Sequence, residues 1–321
     1  MRFFFFSFFF AFLLLLSSCS SDTTSSEQST VLLFLTITDT SPGKLDPSLG
    51  NPSNTVRSAI STDGYTFTLL PESWITHSDM ADPAVALGND NFWMVASGTF
   101  QDSVRYTYAT PCPSFDSSSF SQITKQGGVP DIFVLPEHAG YRIYYSANGG
   151  IRSMFSSDGI NFTEEAGLRL NIGDVPQLSV IADPAVTLRT DGTYVLYFKG
   201  IPKEAGITDS PYYHNVYRAT SPDGLTFTAE ETDTPLLLHA SVPGAYTDAN
   251  GKVWVYYLNF AEGWPEEHET VWATYEQEDT SLVEPQEVTF TPSLAAYEFV
   301  NDPDPLLLPE SYDFSACSTD G

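Results

Sequence analysis

The sequence predicts an all-β protein, a five-bladed β-propeller built from four-stranded blades. Three observations predict it. One hairpin motif occurs three times, an inner-strand motif recurs between its copies, and two incomplete units at opposite chain ends complete each other.

The hairpin motif reads Ser61-Thr-Asp-Gly-Tyr-Thr-Phe67, Ser156-Ser-Asp-Gly-Ile-Asn-Phe162 and Ser221-Pro-Asp-Gly-Leu-Thr-Phe227. Each copy follows an alternating run: VRSAI, IRSMF and VYRAT. Asp-Gly between two β-patterned runs marks a tight hairpin, because glycine accepts positive φ at little steric cost. The second motif is Ala81-Asp82-Pro83-Ala84-Val85, repeated as Ala182-Asp183-Pro184-Ala185-Val186 and more loosely as Pro130-Asp131-Ile132-Phe133-Val134. A turn and an aromatic-rich strand follow each one: FWMVAS, YVLYFKG and YRIYYS. VWVYYLN at Val253–Asn259 fills the same slot after Val242-Pro243-Gly244-Ala245-Tyr246. One unit is therefore an inner strand, an aromatic second strand, a third strand and a hairpin into the fourth. Units start near Asp82, Asp131, Asp183 and Gly244.

The ends supply the fifth blade. Asn301-Asp-Pro-Asp-Pro-Leu-Leu-Leu308 reads as an inner strand with nothing after it, and Thr30 to Leu70 as second, third and fourth strands with nothing before them. Joining them closes the ring and removes exposed sheet edges. A β-sandwich would leave the matched repeats unexplained.

Before the propeller, residues 1–18 read MRFFFFSFFFAFLLLLSS, with Arg2 ahead of an apolar run of about fifteen residues. That is short of the roughly 20 a membrane helix needs and fits a signal peptide. It ends in Leu16-Ser17-Ser18-Cys19, which resembles the bacterial lipobox, so Cys19 is the expected lipidation site. The Ser/Thr-rich residues 19–30 are expected to form a flexible tether. The propeller is expected over 31–309 and a C-terminal tail over 310–321. Ser20 after the cysteine implies, by the same resemblance, delivery to the outer membrane if the cell is Gram-negative. The chain is thus expected outside the cytoplasm, held to the membrane by its lipid alone, as a monomer.

The net charge of −28, from 13 basic against 41 acidic residues, excludes nucleic acid as a partner. Besides Cys19 there are two cysteines, Cys112 and Cys317, too few for a cysteine metal site. Cys112 lies on the outer side of the first full blade, and Cys317 follows the closing strand beside that blade. A disulfide pinning the tail is expected in an oxidising compartment.

Chemistry is expected where the inner strands begin. Asp82, Asp131, Asp183 and either Asp302 or Asp304 should ring one mouth of the central channel, while the unit at Gly244 brings no acid. An Asp beside proline often does no more than cap a turn. Crowded carboxylates can also push each other's pKa values apart, so that one serves as acid and another as base. No cofactor is expected, though such a ring could hold a structural Ca²⁺ in the channel. Loops between second and third strands add Glu204, Tyr212 and His214 in one blade, Glu262 and Trp264 in the next, and His77 approaches from another. Tyr and Trp faces stack on sugars, which makes Tyr212 and Trp264 candidate ligand contacts, whereas Trp93, Tyr144, Tyr197 and Trp254 read as core between blades.

At these residues the chain resembles the five-bladed propellers of the arabinanase, levansucrase and invertase type, which include the family 43 glycoside hydrolases. The D-P inner strands, the aromatic second strands and the S-x-D-G-x-x-F hairpins carry the resemblance, over about Val31 to Pro309. It implies a glycoside hydrolase acting on a polysaccharide or oligosaccharide, with Asp82 as general base and Asp183 tuning pKa and orienting substrate. The family's general acid is a Glu that commonly opens an inner strand. Here that strand reads Ser241-Val-Pro-Gly-Ala-Tyr246, so Glu204 or Glu262 would have to reach in from a loop. Asp131, Asp302, His214, Tyr212, Trp264 and His77 would contact substrate. The alternative is a propeller that binds glycan, or serves as a scaffold, without cleaving it. A sialidase is disfavoured, because Arg57, Arg105 and Arg152 stand one per blade rather than in the cluster that a substrate carboxylate requires.

Overall fold

The computed structural model describes residues 29–39, 41, 54–70, 80–88, 91–97, 103–109, 112–115, 119–124, 126–203, 211–230, 233–260, 270–313 and 317. Cys19, His77, Glu204, Glu262 and Trp264 lie outside these residues. The chain runs β1 (Val31–Asp39), β2 (Asn54–Ser61) and β3 (Thr66–Leu69), then β4 (Ala81–Gly88), β5 (Asn91–Ser97), β6 (Val104–Ala109) and β7 (Ser121–Gln122). Next come β8 (Gly128–Val134), β9 (Tyr141–Ala147), β10 (Gly150–Ser156), β11 (Thr163–Glu164) and β12 (Leu170–Asn171). They are followed by β13 (Leu178–Leu188), β14 (Tyr194–Pro202), β15 (Asn215–Ser221), β16 (Thr228–Ala229), β17 (Ala240–Thr247), β18 (Val253–Asn259), β19 (Thr270–Tyr275) and β20 (Gln286–Glu287). β21 (Thr289–Thr291) and β22 (Glu298–Leu307) end the order.

These strands form five sheets, the blades of a propeller. Blade one is β4–β7, blade two β8–β12, blade three β13–β16 and blade four β17–β20. The fifth blade is composite: C-terminal β22 is its inner strand and pairs antiparallel with N-terminal β1, which pairs with β2. The link out of blade four adds β21 parallel to β3, covering the outer edge of this blade. Inner strands contact one another in the closed order β4, β8, β13, β17, β22, β4.

Five buried apolar clusters fill the five junctions between blades. The aromatic second strands supply much of them, and Tyr144, Tyr197 and Tyr256 are fully buried. The S-x-D-G hairpins lock these junctions. In each, the Ser hydroxyl accepts the Gly N–H and the Asp carboxylate accepts the next two backbone N–H groups, as Asp158 does from Ile160 and Asn161. This holds the Asp158 carboxyl below the ordinary range, its backbone and Ser156 hydrogen bonds being the cause. Each tip rests on the preceding blade. Tyr144 of β9 donates to the Gly224 carbonyl and Tyr256 of β18 to the Gly64 carbonyl. Gly159, at φ +73°, lies against the Trp93 ring of β5, where a Cβ would come within 2.7 Å.

All five inner strands share one feature. A residue with positive φ precedes a proline, and the register shifts there: Asp82-Pro83, Val129-Pro130, Asp183-Pro184, Val242-Pro243 and Asp302-Pro303. Proline disfavours the right-handed helical region for its predecessor, and Asp adopts the left-handed one more readily than most residues. The two valines hold φ +46°, a costly geometry for a β-branched side chain that persists because the sheet imposes it.

Candidate active site at the channel mouth

The shared proline aligns the blades and corrects the expected ring. Asp82, Asp183 and Asp302 occupy equivalent positions at the mouth, whereas blades two and four place Val129 and Val242 there. Asp131 does not belong to this ring. It stands two residues further along its strand, level with Ala84, because the repeat aligns on Pro130 rather than on the acid. Asp304 stands two residues beyond Asp302 in the same way, so Asp302 is the mouth residue of the pair.

Directly across from the residue before each of these steps sits a second-strand side chain: Ser97, Ser146, Lys199, Leu258 and Thr36 in the five blades. These residues set the chemistry of the mouth. Ser97 accepts the Val129 N–H and Ser146 the Asp183 N–H, each at 2.7 Å. The Asp82 N–H is taken instead by Asp302 Oδ2 at 3.2 Å. Asp82 is buried, and its carboxyl is pushed well above the usual range by burial and then by the Asp302 charge, with a hydrogen bond from Ser97 opposing. Asp302 is raised too, chiefly by burial, against the Thr36 hydroxyl and the Asp82 groups that favour its ionised form. Burial and the neighbouring charge thus each make ionisation of the Asp82 carboxyl costlier.

Asp183 differs because its second-strand partner is a cation. Lys199 Nζ lies 2.6 Å from Asp183 Oδ2. Asp183 is 1% exposed, and beyond this ion pair neither of its carboxylate oxygens has a hydrogen-bond partner among the described residues. Lys199 is part of β14 and was not among the expected site residues. The signal for its role was present in the aligned strand ends, where FWMVAS and YRIYYS place serine and YVLYFK places lysine.

His214, Tyr212 and His239 flank this mouth. The His214 imidazole faces Ser241 Oγ at 3.2 Å, and its pKa is pushed down to about 4 by burial first and then by the Lys199 charge. It is therefore a neutral hydrogen-bonding group at neutral pH. Tyr212 is 39% exposed and stacks on His239, with ring centroids 4.0 Å apart, while His239 Nδ1 lies 2.6 Å from the Tyr212 carbonyl. The stack offers an aromatic face to the solvent side of the mouth. A groove of about 1080 Å³ runs outward from Asp183 and Lys199 over blade two, past Tyr145, Met154 and Phe162 to Arg152 and Glu164. The channel continues inward past Asp131 and Asp304 as a second cavity of about 270 Å³. Among the described residues, no three His, Cys, Asp or Glu side chains are placed to hold a metal ion.

No protein-family model matches this chain, and no curated protein matches it. Solved structures do. The GH43 protein BlXynB of Bacillus licheniformis aligns with TM-score 0.51 at 15% identity over 72% of this chain and 50% of that one. Xyloglucan PUL GH43B of Bacteroides ovatus aligns with TM-score 0.50 at 12% identity over 77% and 51%. An endo-1,4-beta-xylanase of Bacteroides thetaiotaomicron aligns with TM-score 0.50 at 13% identity over 73% and 88%. This chain thus spans about half the length of the first two and most of the third. At such identities the likeness is one of architecture, and the chain carries the five-bladed propeller fold of family 43 glycoside hydrolase structures.

Proposed function

We propose that this propeller acts on a polysaccharide or oligosaccharide by carboxylate acid/base hydrolysis. One observation carries the reading. Three aspartates meet at one mouth in two different electrostatic settings: buried Asp82 beside half-buried Asp302, both with raised pKa, and buried Asp183 facing a lysine. Glycoside hydrolysis needs two carboxyl groups kept in opposite protonation states. The Tyr212–His239 stack and the long groove suit a sugar chain better than a single sugar. The relatives in fold, among them an endo-1,4-beta-xylanase and the Xyloglucan PUL GH43B protein, support a carbohydrate ligand. Within this reading Asp82 and Asp183 are the catalytic carboxylates, Asp302, His214 and Tyr212 contact or orient substrate, and Glu204 and Glu262 remain candidates for a loop acid. Export and lipid anchoring at Cys19 belong to the same reading, and the bond between Cys112 and Cys317 supports a compartment outside the cytoplasm.

A second reading has its own observation. Val242 occupies the blade-four position where the family commonly places its glutamate, which favours a propeller that binds glycan without cleaving it. Assaying the purified protein on aryl glycosides and polysaccharides, beside Asp82→Asn and Asp183→Asn, separates the two. Hydrolysis abolished by either change supports the first reading. Glycan retention without hydrolysis supports the second, and hydrolysis indifferent to both changes removes this site from the chemistry.

A further inference from the structure

We propose that a linear sugar chain leaves the mouth over blade two, and that Arg152 and Glu164 form a distal binding subsite for it. The inference rests on the carbohydrate reading above, in its hydrolytic or its non-cleaving form, and adds to it the path of the chain.

The path follows from one short turn. Second and third strands are joined on the mouth side of each blade, level with the start of the inner strand. In blade two that join is Asn148 and Gly149 alone, between β9 and β10. Gly149 permits so tight a turn by taking φ +91°. Blades one, three, four and five use 98–103, 203–214, 260–269 and 40–53 for the same join. Blade two therefore has the least chain with which to wall off the mouth, and the groove of about 1080 Å³ opens there.

The groove has the length for a chain. It is lined by residues from every strand across blade two: Val129 on β8, Ser146 on β9, Arg152 on β10 and Glu164 on β11. Neighbouring strands lie about 4.8 Å apart, so the run from innermost to outermost strand covers about 14 Å. It begins at Asp183 and Lys199 and is thus continuous with the mouth. A cleft of roughly 300–1,000 Å³ encloses a drug-sized molecule, so this one accommodates several sugar units. Apolar Ile123 and Phe162 line it together with hydrogen-bonding Thr124 and Asn148. That mixture matches the C–H faces and hydroxyls of a sugar chain.

Arg152 and Glu164 mark its outer end. Arg152 Nη1 lies 2.5 Å from Glu164 Oε1, and the side chains are 38% and 54% exposed. Blade three repeats the pair as Arg218 and Glu230, again twelve residues apart. There the Arg218 side chain is only 10% exposed, and it also donates to Glu276 and to the Thr280 carbonyl of blade four. One copy of the pair is thus covered by the next blade, while the other faces an open groove. Guanidinium and carboxylate side by side offer donors and acceptors that neighbouring sugar hydroxyls can meet. An exposed ion pair adds little to the fold, so removing it reads binding rather than stability.

The test follows affinity against chain length. The probes are linear xylo-, arabino- and gluco-oligosaccharides, each from disaccharide to hexasaccharide. Titration calorimetry uses the full chain carrying Asp82→Asn, which leaves the ligand uncleaved under the hydrolytic reading. In one series, affinity should rise roughly 2- to 10-fold with each unit added until the groove is filled, about the worth of one net hydrogen bond. Adding Arg152→Ala with Glu164→Ala should flatten the end of that rise and weaken hexasaccharide binding by a similar factor, with thermal unfolding unchanged. Hydrogen exchange on the wild-type chain needs no variant: the hexasaccharide should slow backbone amides at 126–128 and 148–152. Affinity that stops rising at the disaccharide, a rise untouched by the double substitution, or protection confined to the mouth would each overturn the proposal and leave the carbohydrate reading standing. If no member of any series binds, the carbohydrate reading falls and takes this one with it.

Discussion

The Tyr197 hydroxyl donates to Glu276 Oε1 at 2.6 Å, across the junction between blades three and four. At the equivalent place in blades two and four, Tyr144 and Tyr256 donate to the glycine carbonyl of an S-x-D-G tip. Blade four has no such tip to lay on blade three, so a carboxylate takes its place. A buried carboxylate needs compensation. Arg189 supplies two hydrogen bonds and Arg218 a third at 2.6 Å, while Arg218 also binds Glu230.

Glu276→Gln should therefore destabilise the protein by about 3–5 kcal/mol, the usual cost of stranding buried charge, although the amide still accepts from Tyr197. Burial opposes ionisation of Glu276, but the hydrogen bonds from Arg189 and Tyr197 and the two guanidinium charges hold its pKa below the ordinary value. A depressed carboxyl stabilises the fold above its unfolded pKa and loses that contribution as pH falls through its folded one. Urea unfolding from pH 7 down to pH 3 should show the wild type losing stability faster than Glu276→Gln. Parallel curves would contradict the network's role.

The hairpin tips make a prediction with an internal control. Gly159 and Gly192 have similar φ, +73° and +87°. A Cβ at residue 159 would meet the Trp93 ring, while at residue 192 it would meet nothing within 4 Å. Gly192→Ala should cost only the left-handed backbone term, about 1–2 kcal/mol. Gly159→Ala should cost clearly more, because Trp93 must also shift. Chemical unfolding of the two variants measures the difference, and equal losses would mean that the tip does not clamp the blade.

These junctions also show what the sequence could reveal. Blade number, the split blade and the buried faces of Tyr144 and Tyr197 follow from periodicity and Asp-Gly chemistry, which are local and repeat. The site followed less well, because two local patterns compete within the inner strands. Aligning on Asp sets Asp131 beside Asp82, whereas the backbone aligns on proline, where φ is fixed. Lys199 was legible as a residue, but its contact with Asp183 depends on strand register across the bulge. The Glu276 network was not legible, since its partners lie 58 to 87 residues away.

The disulfide offers a third test. Cys112 and Cys317 are bonded over a separation of 205 residues, and the Cys317 sulfur packs in the cluster with Phe34, Phe92 and Phe115. Tyr312 adds an edge contact to Phe92 at 5.4 Å. This fastens the tail at the junction of blades five and one, where blade one offers no S-x-D-G tip. A loop of that length limits the unfolded chain by roughly 5 kcal/mol in the chain-entropy account. The double change Cys112→Ser with Cys317→Ser should lower the unfolding free energy by up to about that amount. Stability unchanged by the double substitution, or by reduction, would show the tail to be dispensable.

The second carboxylate layer gives the final prediction. Asp131 Oδ2 accepts the Val186 N–H at 2.7 Å and Asp304 Oδ2 the Val85 N–H at 2.8 Å, each tying one inner strand to the next blade. Both line the inner cavity, Asp131 buried and Asp304 half-buried. Burial lifts Asp131 from 3.8 to about 7, and burial followed by the Asp131 charge lifts Asp304 well above 3.8. A carboxyl raised in the fold binds more protons there than in the unfolded chain, so stability falls as pH rises from the unfolded value to the folded one. The window for Asp131 runs from about pH 4 to about pH 7, at up to roughly 1.4 kcal/mol per pH unit for each group. Asn keeps an acceptor for the strand N–H and removes the proton. Asp131→Asn and Asp304→Asn should therefore each flatten the decline of stability across that window, and the double variant should be the more stable protein above pH 7. Thermal unfolding from pH 4 to pH 8 measures it. A wild-type curve already flat there would mean that these carboxyls titrate alike in both states, which their burial in the channel wall argues against.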